Sequence, residues 1–217
     1  MKSLEEIGTK YGTDKVEHRY LSHYEAVLGH LRDKSIKMLE IGVFRGQSLL
    51  MWHEYFQNAE VHGADIDFSL SEKNLEGNPR IRIHLMNCDF TSDLKTFARS
   101  NKDFDVIVDD GGHTMRQQQL AMKVLWKSLV PGGIFIMEDL HTSLKAHYPS
   151  HNRDNEPTTL ELLEGLESGS TDFQSHYLSK KDVEEIAGEV ESCRVIWSRE
   201  AEGRVPPSIT SVLRKKF

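Results

Sequence analysis

Five short apolar runs, interleaved with segments of helical period, set the tightest limit on how this chain can fold. The runs are IKMLEIGV (36–43), AEVHGADID (59–67), NPRIRIHLMNCD (78–89), DFDVIVDD (103–110) and GIFIMEDL (133–140). Each is rich in β-branched or aliphatic residues and too short for a core helix, so each reads as a buried strand. Between them, SLLMWHEYF, DLKTFARSN and MRQQQLAMKVLWKSL carry apolar residues at three- and four-residue spacing. The last is closed by Val130-Pro131-Gly132-Gly133, a helix stop. Strand and helix in alternation predict an α/β domain with a mostly parallel sheet covered by helices on both faces.

The flanks complete this frame. Tyr20, Tyr24, Val27, Leu28 and Leu31 recur at helical spacing and predict a helix over Val16–Leu31, within an N-terminal helical cap of residues 1–32. Residues 36–140 form the core. Residues 141–178 are polar and hold His141, His147, His151 and His176; TLELLEGLESG in their middle has helical character. A loop of this length inside a domain reads as a lid that contacts an acceptor, or as a surface excursion. SKKDVEEIAGEV predicts a helix capped by Ser179, with Asp182 three residues on. CRVIWSRE and PSITSVLRKK, separated by AEGRVP, read as an antiparallel C-terminal hairpin, so that 179–217 supplies the closing helix and hairpin of a single domain spanning 1–217.

Composition narrows the class. With 38% hydrophobic and 28% charged residues, the 217-residue chain has an ordinary globular balance. A net charge of -7 argues against nucleic acid as a partner, which would call for a basic face. There is no apolar leader and no run long enough to span a bilayer, so no membrane partner and a cytoplasmic setting are expected. Cys88 and Cys193 lack metal or redox spacing and read as buried free thiols; Trp52, Trp126 and Trp197 read as core aromatics. The expected partner is a small molecule, with homo-oligomer formation left open.

LEIGVFRGQSL places Gly42 and Gly46 between the first strand and its helix, where a backbone without Cβ can approach a ligand and the helix start offers free N–H groups. The second strand ends at Asp65, with Asp67 beyond it; a carboxylate there can accept from both hydroxyls of a ribose. The turn reads Glu-x-Gly-x-x-x-Gly rather than the G-x-G-x-x-G of dinucleotide sites. Glu40 would repel a pyrophosphate and suits a cationic ligand, such as an adenosine carrying an ammonium and a sulfonium. A tight turn with no ligand is the plain alternative. With VHGADID and NCDFTSD, the motif resembles the class I S-adenosylmethionine-dependent methyltransferases over Ile36–Leu140. That resemblance implies a Rossmann-like seven-stranded sheet including the hairpin, Asp65 at the ribose and Asp89 beside the adenine amine. It also puts Glu40, Gly42, Gly46, Ser48 and Asp109 on the cofactor side.

DVIVDDGGHTMRQQQ ends the fourth strand in Asp109, Asp110 and His113, and IMEDLH ends the fifth in Glu138, Asp139 and His141. Adjacent strands would bring Asp110, Glu138 and Asp139 together, and such carboxylates repel one another unless a cation intervenes. Oxygen donors favour a hard ion, Mg2+ first, with Mn2+ and Ca2+ behind. His113, with a reference pKa of about 6.5, suits a general base near neutrality, or a metal ligand if the ion is iron. Asp109 sits behind the ligands or caps a helix; taken alone, Asp110 and His113 could also be a helix cap.

KYGTDKVEHRYLSHYEAVL, LEIGVFRGQSLLMWHEYF and VDDGGHTMRQ with IMEDLHTS together resemble a narrower group, the metal-dependent macrolide sugar O-methyltransferases of the mycinamicin type. The resemblance implies that Asp110, Glu138 and Asp139 bind Mg2+ and that His113 is the base. The reaction would move a methyl group from S-adenosylmethionine to a hydroxyl of a small molecule, a sugar of a natural-product glycoside. It also implies that the Gly12–Lys15 turn packs over the cofactor with Tyr11 and Tyr20. His141 could face the acceptor, while His147 and His151 read as solvated. A catechol acceptor, an iron-dependent hydroxylase and a non-catalytic partner subunit are the rival readings.

Overall fold

The computed structural model describes residues 1–198 and 207–217. The expected AEGRVP turn, and with it Arg199 and Glu200, lies outside the described residues. Seven strands form one sheet: β1 (Lys37–Ile41), β2 (Glu60–Asp65), β3 (Ile81–Leu85), β4 (Phe104–Asp109), β5 (Leu129–Met137), β6 (Val190–Trp197) and β7 (Ile209–Lys215). Their order is β3-β2-β1-β4-β5-β7-β6. β1 to β5 are parallel, and β7 runs antiparallel between β5 and β6. The mostly parallel sheet and closing hairpin are as the sequence predicts.

The continuous apolar runs follow from burial on both faces. Met38, Val106, Val108, Ile134 and Ile136 face one cluster, with Leu4, Ile7, Tyr24 and Trp52 from α1 (Leu4–Tyr11), α2 (Leu21–Leu28) and α3 (Gln47–Tyr55). Leu39, Ile41, Ile107, Phe135 and Met137 face the other. That second cluster is covered by α5 (Thr91–Ser100), α6 (Met115–Leu125), α7 (Thr159–Glu167) and α8 (Lys180–Glu189) through Phe97, Leu120, Leu163 and Val183. Neighbours in sequence point to opposite faces, so a strand buried on both sides has no polar position to spare. The short α4 (Glu72–Leu75) lies between β2 and β3.

Strand order reverses between β1 and β4, the switch point where open α/β sheets bind ligands. The register sets Ile41 beside Asp109 and Asp109 beside Met137. The ladder runs one step further: Asp110 N–H donates to Ile41 O and Glu138 N–H to Asp109 O, both at 2.9 Å. Gly42, Asp110 and Glu138 therefore stand at one level on neighbouring strand ends.

Several elements differ from the sequence reading. The Val16–Leu31 helix shrinks to α2, preceded by a compact turn in which Arg19 has φ 58° and followed by a 3-10 turn at Gly29–Leu31. α1 was not anticipated, although Ser3 and Glu6 form a reciprocal capping box that starts it. Val130-Pro131-Gly132-Gly133 lies inside β5, in a stretch where the register with β4 jumps from Leu129 to Ile134. Proline cannot donate to the ladder, and an irregular start to the strand accommodates it. The helix within 141–178 is α7, whose Leu160, Leu162, Leu163 and Leu166 are core residues. Ser179 caps α8 with Asp182, as expected. Trp197 is 47% exposed and is not a core residue, because it lies at the end of the outermost strand. Cys88 is buried and Cys193 only half-buried; both are free. Among the described residues no helix is long and apolar enough to cross a membrane.

Candidate active site at the carboxyl ends of the central strands

A cavity of ≈ 530 Å³ opens at the ends of β1, β2 and β4, within the range of small-molecule sites. One side is the glycine turn. Gly42 has φ 85°, and a Cβ there would stand 1.9 Å from the carbonyl oxygen of Asp110, so the β1 and β4 ends can meet only through glycine. Gly46 has φ 80° and directly precedes α3. Asp65 Oδ2 accepts from the N–H groups of Val43 (2.7 Å) and Phe44 (3.1 Å), tying the second strand's acid to the turn. Ser48 and Asp65 line the cavity. Asp89 stands just behind it, its Oδ2 accepting from Nε2 of the lining residue Gln117 at 3.0 Å. Gly12, Thr13 and Asp14 also line it, so the GTDK turn does pack over this space. Tyr11 does not; its hydroxyl donates to Glu54.

Asp110, His113 and Asp139 line the same cavity. Each can offer one ligand atom, and the three atoms lie within 4.8 Å of one another. His113 Nε2 is 3.8 Å from Asp110 Oδ1 and 3.5 Å from Asp139 Oδ2. His113 and Asp139 both hold left-handed backbone, φ 56° and 54°. For non-glycine residues this costs about 1–3 kcal/mol each and is characteristic of functional sites. Asp139 accepts a hydrogen bond from the Tyr20 hydroxyl at 3.0 Å, and His18 Nδ1 and His141 Nδ1 lie further off, at 3.7 and 3.9 Å. Burial alone would raise its pKa, but His113, His18, His141 and the Tyr20 hydroxyl together hold it below the usual carboxylate value.

Glu40 and Glu138 stand behind the cavity wall rather than on it. Both are buried, and both face Lys15, a fully buried lysine that the sequence reading placed only in a polar turn. Its Nζ lies 2.5 Å from Asp110 Oδ2, 2.9 Å from Glu138 Oε1 and 3.1 Å from Glu40 Oε1. Of these only the Asp110 contact has hydrogen-bond geometry; the glutamate oxygens Oε1 are held by charge alone. Glu40 Oε2 accepts from the Ser48 hydroxyl at 2.7 Å. Burial raises the pKa of Glu40, Asp110 and Glu138, against the pull of Lys15, and repulsion from Asp110 adds to the rise at Glu138. Lys15 itself is lowered by burial but raised well above its ordinary value by the three carboxylates. Asp109 is also buried. Its Oδ1 accepts from Gly111 N–H at 3.3 Å, its Oδ2 has no partner among the described residues, and burial pushes its carboxyl up to about 7.

Beyond Asp139 the rings follow in sequence. His141 stacks on His18 and meets Tyr148 edge-on, and Tyr148 meets His151 edge-on. His151 is half-buried in this row rather than solvated.

A cleft at the sheet's switch point, with an acid–histidine group on its rim, is the arrangement of a doubly wound α/β domain with a candidate small-molecule site. Residues 39–140 match the family model of the methyltransferase domain. Among curated relatives, the L-olivosyl-oleandolide 3-O-methyltransferase of Streptomyces antibioticus is 31% identical over 175 residues, covering 75% of this chain and 44% of that protein. The 8-demethyl-8-alpha-L-rhamnosyl tetracenomycin-C 2'-O-methyltransferase of Streptomyces olivaceus is 29% identical over 171 residues, with 75% and 44% covered. The chain thus spans under half the length of these relatives. Among solved structures, the MycE methyltransferase of the mycinamycin pathway, in complex with Mg, SAH and mycinamycin VI, superposes with a TM-score of 0.74 at 22% identity. That match covers 99% of this chain and 55% of that one.

Proposed function

We propose that the chain is an O-methyltransferase that uses S-adenosylmethionine and a divalent ion, Mg2+ first, to methylate a hydroxyl on the sugar of a natural-product glycoside. One observation carries this reading: the glycine-turn cleft and the Asp110–His113–Asp139 group line a single cavity. The names of the relatives support a sugar acceptor.

The donor set fits a hard divalent ion that takes few protein ligands and fills the remaining positions with water or acceptor oxygen. Asp110 and Asp139 would hold it, with Glu138 contributing from behind the wall. Bound there, the ion would make an acceptor hydroxyl easier to ionise. Asp65 and the Gly42–Gly46 turn would seat the ribose and amino-acid parts of the cofactor, with Asp89 and Gln117 at the base. His113 takes the acceptor proton at Nε2, and the carboxylates of Asp139 and Asp110, 3.5 and 3.8 Å away, stabilise the imidazolium that results. The row His141–Tyr148–His151 forms the acceptor wall, the part of 141–178 that acts as a lid.

Isotope transfer from labelled S-adenosylmethionine to a rhamnosyl glycoside, compared with a catechol and with EDTA added, tests the reading. Label on the glycoside that EDTA abolishes is expected; label on the catechol alone would overturn the sugar assignment. His113→Ala should lower the maximal rate by about 10²–10⁴-fold while Mn2+ affinity stays within a few-fold. A parallel loss of Mn2+ affinity would make His113 a ligand instead of the base.

A further inference from the structure

The Lys15 side chain touches both halves of the site. It reaches Glu40, whose other oxygen is held by Ser48 at the start of α3, and it reaches Asp110 and Glu138 at the ends of β4 and β5. Its side chain is wholly removed from solvent. A lysine is rarely buried to this degree unless paired, and here it is paired three times.

The contacts are divided by oxygen. Lys15 takes Oδ2 of Asp110, while Oδ1 of the same carboxylate faces His113 and the cavity. It takes Oε1 of Glu138, an atom with no hydrogen-bonding partner. One oxygen of Asp110 is thus fixed from behind while the other stays turned to the cavity, and Glu138 is held at the back of the wall. Without Lys15, three buried carboxylates would face one another with no compensating charge, and each would turn away or take up a proton. Groups that hold ligands from behind commonly set metal affinity by about 10–100-fold.

We infer that Lys15 is a positioning residue: its ammonium fixes Asp110 in the orientation that receives a divalent ion and balances the charge of Glu40 and Glu138 behind it, and it is itself neither a ligand nor a base. The inference rests on the ion-assisted reading proposed above. The GTDK turn therefore serves the ion site as well as the cofactor side, where Gly12, Thr13 and Asp14 line the cavity.

The test uses the full chain, with free Mn2+ followed by electron paramagnetic resonance and S-adenosylhomocysteine affinity measured by calorimetry. Lys15→Met fills the space without the charge. Because it strands a buried carboxylate and can fail to fold, the double variant Lys15→Met/Glu40→Gln is prepared beside it, with melting temperature as a check. Both variants are expected to bind Mn2+ about 10–100-fold more weakly than wild type, and Lys15→Met, which leaves Glu40 intact, to keep S-adenosylhomocysteine affinity within about threefold of wild type. A purely structural role would weaken both ligands together and overturn the inference. So would Mn2+ affinity unchanged or increased in the folded double variant. If wild type binds S-adenosylhomocysteine but no Mn2+, the ion-assisted reading itself fails, an outcome distinct from a failure of Lys15 alone.

Discussion

Gly42 shows how narrow the tolerances are at single positions. Its left-handed backbone and the 1.9 Å approach of a hypothetical Cβ to the Asp110 carbonyl leave no room for alanine. Gly42→Ala is expected to cost about 2 kcal/mol or more by urea denaturation, since it combines backbone strain with a clash against backbone. It should also weaken S-adenosylhomocysteine binding, because relief requires the β1 and β4 ends to part. A stability within about 0.5 kcal/mol of wild type would contradict this placement of the two turns. The sequence made this position legible: a glycine directly after an apolar strand signals close approach. It did not make Lys15 legible. A lysine in a polar turn normally points to water, and only the arrival of Glu40, Asp110 and Glu138 from three strands turns it inward. The left-handed conformations of His113 and Asp139 were not legible either: aspartate and histidine tolerate that region better than most residues, but nothing in the sequence says where they adopt it.

At the scale of elements, the N-terminus of α6 deserves the closest test. Thr114 accepts from Gln117 N–H at 3.2 Å, and the Gln117 side chain returns to Thr114 and reaches Asp89. One capping box thus joins the turn after β4, which carries His113, to the loop after β3. Thr114→Ala should cost about 1 kcal/mol of stability by urea denaturation; no loss would mean that the cap is not formed in solution. The central strands were legible because burial on both faces demands unbroken apolar runs. The helices at the N-terminus were not, for two reasons. Tyr20 and Tyr24 keep helical spacing with α2, yet the chain before Leu21 is a turn that delivers Lys15, His18 and Tyr20 to the site. α1 is short, and its apolar face of Leu4 and Ile7 is too sparse to show a period, so only the Ser3–Glu6 cap marked it. α7 was legible as a helix but not as core, because its burial depends on β6 folding back across it.

For the molecule as a whole, acid sensitivity is written into the side of the sheet away from the site. His62 is buried, its Nε2 hydrogen-bonded to Glu60 Oε1 and its Nδ1 to His84 Nε2, both at 2.9 Å. Burial lowers both imidazoles, His62 to about 4. The unfolded chain, with histidine near 6.5, therefore binds more protons than the folded one between these values, and stability falls as pH drops from about 6.5 towards 4. Between pH 7 and pH 5 the His62 contribution is about 2 kcal/mol. His62→Phe should flatten the urea-midpoint profile over that range by a similar amount; an unchanged slope would contradict a neutral buried His62.

The central claim is that β4 and β5 present their acids to one divalent ion beside a cofactor seated on the Gly42–Gly46 turn. Crystals grown with Mn2+ and S-adenosylhomocysteine, with data collected at the manganese edge, test it most directly. The account predicts one anomalous peak per chain, about 2.1 Å from oxygens of Asp110 and Asp139, next to the bound cofactor product. Cofactor density without such a peak, or a peak away from these carboxylates, would contradict it.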